Sequence, residues 1–239
     1  MIDIFILHIL LVPEMGIMPI DGHITNSMIP NAKNNLQFSS QEKEIGDLVS
    51  FSGFDENCCV GIVDIVDSTK ISVSLDPVSL GKYYSIFLNS MSTIVRRFSG
   101  RVVKNLGDSI LYLFSPSTKR NDNYGLVSCL ECGLSMIDEL GNINSVLAQS
   151  YLPPLSFRVS SDYGNVLLAR SENTASEDIF GASVNICAKI NGKADKNSLV
   201  IGGDLYLIAK KFSEYLFREI GWYDVGLPQG YPVYAVRKA

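Results

Sequence analysis

Two aspartates stand where an isolated charge is costly. Asp64 lies late in the run Val60-Gly61-Ile62-Val63-Asp64-Ile65-Val66, whose β-branched residues have the pattern of a strand buried on both faces. An ionised carboxylate in such a strand needs a partner, because burying it alone is expensive. Asp108 occurs in Lys104-Asn105-Leu106-Gly107-Asp108-Ser109, between two β-rich runs that predict a hairpin with a Gly-Asp turn. Two carboxylates at the ends of adjacent central strands can hold a pair of divalent ions for phosphoryl chemistry. Hard cations take oxygen ligands, and Mg²⁺ keeps coordination sites for phosphates. The plainer possibility is that Asp64 caps the helix after it and Asp108 only makes a turn. Downstream of Asp64, Asp67-Ser68-Thr69 opens a helix whose free N–H groups serve either capping or the binding of phosphate oxygens.

The elements that must carry these residues follow from periodicity. Asp76-Pro77 starts a helix in which Leu80, Tyr83, Tyr84, Phe87, Leu88, Met91, Ile94, Val95 and Phe98 recur at helical spacing, and Gly100 ends it. The hairpin over 102–114 comes next, then a long helical pattern over 124–147 that is interrupted by Gly133 and expected to end after Asn142. A strand over 155–161 is expected to turn at Asp162-Tyr163-Gly164-Asn165 and return over 166–170 as its hairpin partner. Polar residues 171–177 predict a loop, 178–194 lead into a helix, 199–201 form a strand and 204–212 a helix. Strands over 216–220 and 233–236 close the chain. The expected fold class is α+β, with helices on a mostly antiparallel sheet.

Bulk properties narrow the function. With 239 residues and 46% hydrophobic content the chain can bury one substantial core. A net charge of -5 with both signs dispersed argues against a nucleic-acid surface, which would cluster Lys and Arg. Cys58, Cys59, Cys129, Cys132 and Cys187 are odd in number and sit mostly in apolar segments. That suits reduced, packed thiols and a cytoplasmic location better than a disulfide framework. Cys129 and Cys132 form a C-x-x-C inside a helical pattern, with neither a second pair nor a nearby histidine, so packing outweighs zinc or redox chemistry.

The apolar stretch 4–12 is too short for a membrane span, which needs about 20 residues. It also lacks the basic n-region and small-residue cleavage site of a secretory signal. It is expected to be a docking strand or helix, or to precede a true start at Met15, Met18 or Met28. Residues 19–40 have the composition of a linker, and 41–51 are expected to form a short helix. Residues 1–50 therefore make an extension and linker, and 51–239 a single domain.

With those residues in view, the chain resembles the class III adenylate/guanylate cyclase catalytic domain. Three blocks in the right order carry the resemblance: Val63-Asp64-Ile65-Val66-Asp67-Ser68-Thr69, then Lys104-Asn105-Leu106-Gly107-Asp108, then Asp178-Ile179-Phe180-Gly181-Ala182-Ser183-Val184-Asn185-Ile186-Cys187-Ala188-Lys189. The resemblance as a whole covers about residues 56–238. The resemblance implies a ferredoxin-like βαββαβ sheet with extra C-terminal strands. It also implies conversion of a nucleoside triphosphate, ATP first, to a 3',5'-cyclic nucleotide and pyrophosphate.

The family's roles map onto this chain residue by residue. Asp64 and Asp108, with the Ile65 carbonyl, would bind two Mg²⁺ or Mn²⁺ ions. Ser68 and Thr69 would hold phosphate oxygens. Lys104 and Asp178 fall on the base-reading positions, in the pairing that looks adenine-selecting. Asn185 would orient the ribose. Lys189 stands where the family has an arginine at the α-phosphate, and the i, i+4 spacing keeps both side chains on one helix face. Lys keeps the charge but lacks the bidentate fork. The family's C-terminal phosphate lysine is absent: Pro228-Gln229-Gly230-Tyr231 occupies its place, with Lys193, Lys196 or Lys210 as possible substitutes.

In this family one subunit supplies the metal residues and the other the base, ribose and α-phosphate contacts, so a head-to-tail homodimer is implied. Two further readings stand beside an adenylate cyclase. One is a standalone pyrimidine (UTP/CTP) cyclase of antiphage defence; the other is a degenerate module that binds nucleotide or a partner without turnover. A diguanylate cyclase would show Gly-Gly-Asp/Glu-Glu-Phe where this chain has Asn105-Leu106-Gly107-Asp108-Ser109.

Overall fold

The run that ends at Asp64 forms a central strand. The computed structural model describes residues 49–54, 57–115, 124–171 and 177–239. Its first half contains β1 (Val49–Phe54), β2 (Cys58–Ile65), α1 (Ser68–Ser74), α2 (Pro77–Arg97), β3 (Arg101–Asn105), β4 (Ser109–Phe114), α3 (Tyr124–Asp138) and α4 (Leu140–Gln149). Its second half contains β5 (Phe157–Gly164), β6 (Leu167–Ser171), β7 (Glu177–Phe180), α5 (Ala182–Asn191), β8 (Leu199–Gly202), α6 (Gly203–Ala209), β9 (Tyr215–Tyr223) and β10 (Tyr231–Lys238). Residues 1–48 lie outside the described residues, and with them the expectations for the apolar stretch, the linker and most of the short helix. Where that helix overlaps the described chain, residues 49–51 are strand instead: β1 pairs with β6, Val49 opposite Ser171.

Seven strands run in the order β3-β4-β2-β5-β8-β10-β9, and a separate sheet has the order β1-β6-β7. Within the larger sheet β3-β4-β2-β5 is the ferredoxin-like βαββαβ core, and β8, β10 and β9 are the C-terminal addition. Among the described strands, only β5 and β8 run parallel. The α2 helix begins as its Asp-Pro signal requires, with Asp76 Oδ1 accepting the N–H groups of Val78 at 3.0 Å and Ser79 at 3.2 Å. Its apolar stripe of Tyr83, Phe87 and Met91 is buried with Leu130 and Met136 of α3 against Val63, Tyr112 and Phe157 of the sheet. The opposite face buries Val60, Ile62, Leu111 and Leu113 with Val166, Ile179 and Cys187. Because strand side chains alternate, Asp64 lies on this second face, away from α2 and α3.

Two local expectations fail for reasons of packing. Residues 166–170 do not return beside 155–161. Both edges of β5 are taken, by β2 and β8, so β6 pairs with β1 and β7 in the small sheet. Asp162-Tyr163-Gly164, expected as a turn, is strand within β5. The second departure is the long helical pattern: Gly133 lies inside α3 without interrupting it, the break falls at Glu139, and α4 runs past Asn142 to Gln149. The Glu139 carboxylate accepts from Arg97 of α2 at 3.1 Å and from Asn142 at 2.8 Å. All five cysteines are buried, and none forms a disulfide. Burial pushes the Cys132 and Cys187 thiols up, so they are packed as neutral thiols at pH 7.

Asp162 carries a measurable consequence. It is fully buried in β5, Tyr231 Oη donates to its two carboxylate oxygens at 3.1 and 3.0 Å, and the Asp204 N–H donates to that same Oη at 2.9 Å. Burial pushes its carboxyl up to about 7, against an ordinary value of 3.8. The folded state therefore holds this proton more tightly than the unfolded chain, and the stability it lends is complete below pH 4 and lost as pH rises to 7. At about 1.4 kcal/mol per pH unit of separation, the full loss approaches ~4 kcal/mol. Asp162→Asn, which keeps an acceptor for Tyr231, is expected to gain on the wild type steadily between pH 4 and 7 in urea unfolding. Parallel curves for the two proteins would refute the assignment.

Candidate active site

The ends of β2 and of the β3–β4 hairpin meet. Asp64 pairs across the ladder with Ser109, and the next N–H, that of Ile65, donates to the Asp108 carbonyl at 3.2 Å. Leu106 N–H closes the hairpin on the Ser109 carbonyl at 2.8 Å, and Gly107 takes the left-handed conformation, φ 72°, that the turn needs. Asp64 and Asp108 are both half-buried. A strand residue presents its N–H and C=O to the same edge, so the Ile65 carbonyl faces the Asp108 turn.

Capping does not account for Asp64. The N-cap of α1 is Asp67, which itself makes no capping hydrogen bond and sits in the left-handed region at φ 59°, ψ 28°. Its carboxylate instead accepts from Lys70 and Lys196, each at 3.0 Å. These two ammonium groups, Lys70 first, hold the Asp67 carboxyl below its usual range. Ser68 and Thr69 are the first two residues of α1, and the Ser68 carbonyl accepts from Ser72 Oγ at 2.9 Å.

One residue escaped the reading of the sequence. Arg158 of β5 stands directly opposite Asp64 across the β2–β5 ladder, on the same face of the sheet. Its Nε is buried without a hydrogen-bond partner. The signal was the one that marked Asp64: a charged residue inside an apolar strand. Desolvating that nitrogen is repaid when an anion reaches it.

Lys104 and Asp178, the residues expected to read the base, lie 74 positions apart in the chain and are brought into contact. Lys104 Nζ of β3 donates to Asp178 Oδ2 of β7 at 2.5 Å, while Asp178 Oδ1 accepts the Ile179 N–H at 3.0 Å. Asn185 and Lys189 lie one turn apart on α5, both exposed. Lys189 Nζ donates to the Val225 carbonyl in the β9–β10 connection at 2.8 Å. That connection includes Pro228-Gln229-Gly230, where no lysine stands. Among the substitutes for the missing lysine, Lys193 covers the Tyr223 ring at 5.0 Å and Lys210 the Tyr206 ring at 6.0 Å. Lys196 alone of the three reaches the Asp67-Ser68-Thr69 turn.

The donor set suits hard divalent ions: two carboxylates and a backbone carbonyl, all oxygen. Among the described residues no group of three or more His, Cys, Asp or Glu side chains gathers as a ready-made cation site. Two carboxylates and a carbonyl leave coordination positions for phosphate oxygens, as expected of ions that arrive with a nucleotide.

The profile of the adenylate and guanylate cyclase catalytic domain matches residues 52–236, and the chain belongs to that family. Its sequence is 26% identical over 220 residues to a cytidylate cyclase of Staphylococcus aureus, covering 84% of this chain and 52% of that protein. It is 26% identical over 164 residues to an adenylate cyclase of Streptomyces coelicolor, covering 69% of this chain and 35% of that one. The chain thus spans about half or less of the length of these two relatives. The fold resembles the adenylyl cyclase CyaB of P. aeruginosa, with TM-score 0.70 and 19% identity over 80% of this chain and 96% of that one. The guanylyl cyclase Cya2 gives TM-score 0.69 and 20% identity over 78% and 94%. Among the described residues no helix is long and apolar enough to cross a membrane.

Proposed function

We propose that residues 51–239 form a nucleotide cyclase catalytic domain that converts a nucleoside triphosphate to its 3',5'-cyclic monophosphate and pyrophosphate. The observation that carries this is the hydrogen-bonded juxtaposition of the Asp64 strand end and the Asp108 turn, with Arg158 opposite Asp64. Asp64, Asp108 and the Ile65 carbonyl would hold two Mg²⁺ or Mn²⁺ ions, which would supply Lewis-acid activation of the ribose 3'-hydroxyl and charge neutralisation at the triphosphate. The 3'-oxygen forms a bond to the α-phosphorus, the bond from that phosphorus to the bridging oxygen breaks, pyrophosphate leaves, and the hydroxyl proton passes to water. No covalent enzyme intermediate arises.

The remaining residues bind and orient. Arg158 meets the triphosphate with a fixed positive charge beside the metal carboxylates, offsetting the missing C-terminal lysine. Ser68 and Thr69 offer N–H and hydroxyl donors to phosphate oxygens. Asn185 orients the ribose. Lys189 exchanges the Val225 carbonyl for an α-phosphate oxygen, trading a neutral acceptor for a charged one. The metal set works with the base and ribose set of a second copy, in a head-to-tail homodimer with two equivalent sites.

Lys104 and Asp178 present one donor and one acceptor side by side. An adenine answers them with a ring nitrogen and an exocyclic amine. Cytosine carries the same two groups, whereas guanine and uracil place a carbonyl where the amine would be. ATP is therefore the first substrate and CTP the second, the latter favoured also by the cytidylate cyclase relative. Purified protein incubated separately with ATP, GTP, CTP and UTP plus Mn²⁺, with products identified by mass, is expected to give cyclic product from ATP or CTP well above GTP and UTP. Lys104→Glu should erase that preference. A preference for GTP or UTP would overturn the base assignment, and no product from any of the four would leave a nucleotide-binding module without turnover.

A further inference from the structure

The strands that carry the base-reading pair are tied together a second time. Arg101 Nη1, at the start of β3, bonds Glu177 Oε2, at the start of β7. Arg170 of β6 donates to the other carboxylate oxygen, from Nε at 2.7 Å and from Nη2 at 2.6 Å. Both oxygens of Glu177 are thus held, by two guanidinium groups on different strands.

A bulge makes this double link possible. In a regular strand residues three apart face opposite sides, so Arg101 and Lys104 should diverge. The β3–β4 register instead slips between Val102 and Lys104, placing Arg101 opposite Leu113 and Lys104 opposite Leu111. Leu111 and Leu113 are two apart on β4 and are buried in one cluster on one face. The extra residue therefore turns Arg101 and Lys104 to the same side, where each meets an acid of β7. Glu177 and Asp178 are consecutive, so the Arg101–Glu177 link fixes the distance across which Lys104 and Asp178 face each other.

We infer that Glu177, gripped by Arg101 and Arg170, is a positioning residue for base discrimination. It sets the spacing of the Lys104–Asp178 pair without touching the nucleotide. The inference rests on the cyclase reading, in which that pair reads the base. With Glu177 neutralised, β3 is released from β7, and the donor and acceptor lose the separation that matches a base edge. The cost then falls on selectivity, because misplacing a polar recognition group penalises the matched substrate more than the mismatched ones.

The test compares wild type, Glu177→Gln, Arg101→Gln, the double variant, and Arg97→Gln as a control that breaks the Arg97–Glu139 ion pair elsewhere. Each is assayed for kcat/KM with the four nucleoside triphosphates, and for displacement of a bound fluorescent nucleotide by each of them. Glu177→Gln is expected to cut the ratio of best to worst nucleotide about tenfold, chiefly through KM. Arg101→Gln should do the same, and the double variant should add little to either single change. Arg97→Gln should leave the ratio as in wild type. Equal losses for all four nucleotides, or an unchanged ratio, overturn the inference while leaving the cyclase intact. A wild type without turnover defeats the cyclase reading, and the displacement ratios alone then decide this one; a wild type that binds no nucleotide defeats both.

Discussion

Asp64→Asn is expected to lower cyclic nucleotide formation by on the order of 10³-fold, with a thermal midpoint close to that of wild type. The substitution keeps the side chain's size and one acceptor oxygen, so the half-buried position opposite Ser109 and Arg158 remains filled. It removes the negative charge that draws a divalent cation. Loss of a single preorganised stabilising group typically costs about 10²- to 10³-fold in rate, and a ligand shared by two ions belongs at the upper end. Asp108→Asn should behave alike, and the double variant should be little worse than either single one, because the pair acts as one unit. Raising Mn²⁺ should recover part of the activity of either single variant by mass action. Wild-type rates in either single variant would remove the metal assignment.

Mixing two inactive chains should restore activity. An Asp64→Ala chain keeps the residues proposed for the base, ribose and α-phosphate, and an Asn185→Ala chain keeps those proposed for the metals. If each site draws one set from each copy, a mixed dimer holds one intact site and one doubly damaged site. Statistical assortment makes half the dimers mixed, so about a quarter of the wild-type rate is expected after co-refolding or co-expression. Sites built within single chains would give no recovery at any mixing ratio. The measurement is the initial rate against mole fraction, which should trace a parabola with its maximum at equal amounts.

The sequence disclosed most of this arrangement where chemistry and strand pattern coincide. Asp64 and Asp108 stood out because a carboxylate at the end of an apolar run is costly without a partner, and the strands predicted around them are β2, β3 and β4. The order βαββαβ was readable from periodicity together with the resemblance. Pairing across sequence distance was less accessible. Asp162-Tyr163-Gly164-Asn165 has turn composition, yet β5 runs through Gly164 because β2 and β8 occupy its two edges. Nothing local announces that β8, some forty residues on, takes the place of a hairpin partner. Arg158 bears the same mark as Asp64, a charge inside an apolar strand, but that mark alone is easily discounted. A lone Arg in a strand ordinarily places its head in water, and only the register opposite Asp64 gives it a role. The bulge at Val103, which turns Arg101 and Lys104 the same way, likewise leaves no mark in composition.

Lys189 shows how a departure from the family pattern is accommodated. Its ammonium reaches the Val225 carbonyl from the same helix face that carries Asn185. In the proposed reaction a nucleotide would draw it away, so this cation would start from a parked position.

The central claim is that the Asp64 and Asp108 carboxylates grip two cations beneath one nucleoside triphosphate. Anomalous scattering from crystals grown with Mn²⁺ and a non-cyclisable ATP or CTP analogue tests it most directly. The account predicts two manganese peaks per site within bonding distance of both carboxylates, with the triphosphate lying against them and the base against Lys104 and Asp178 of a second copy. Carboxylates turned away from each other, or manganese bound elsewhere with the nucleotide in place, would contradict it.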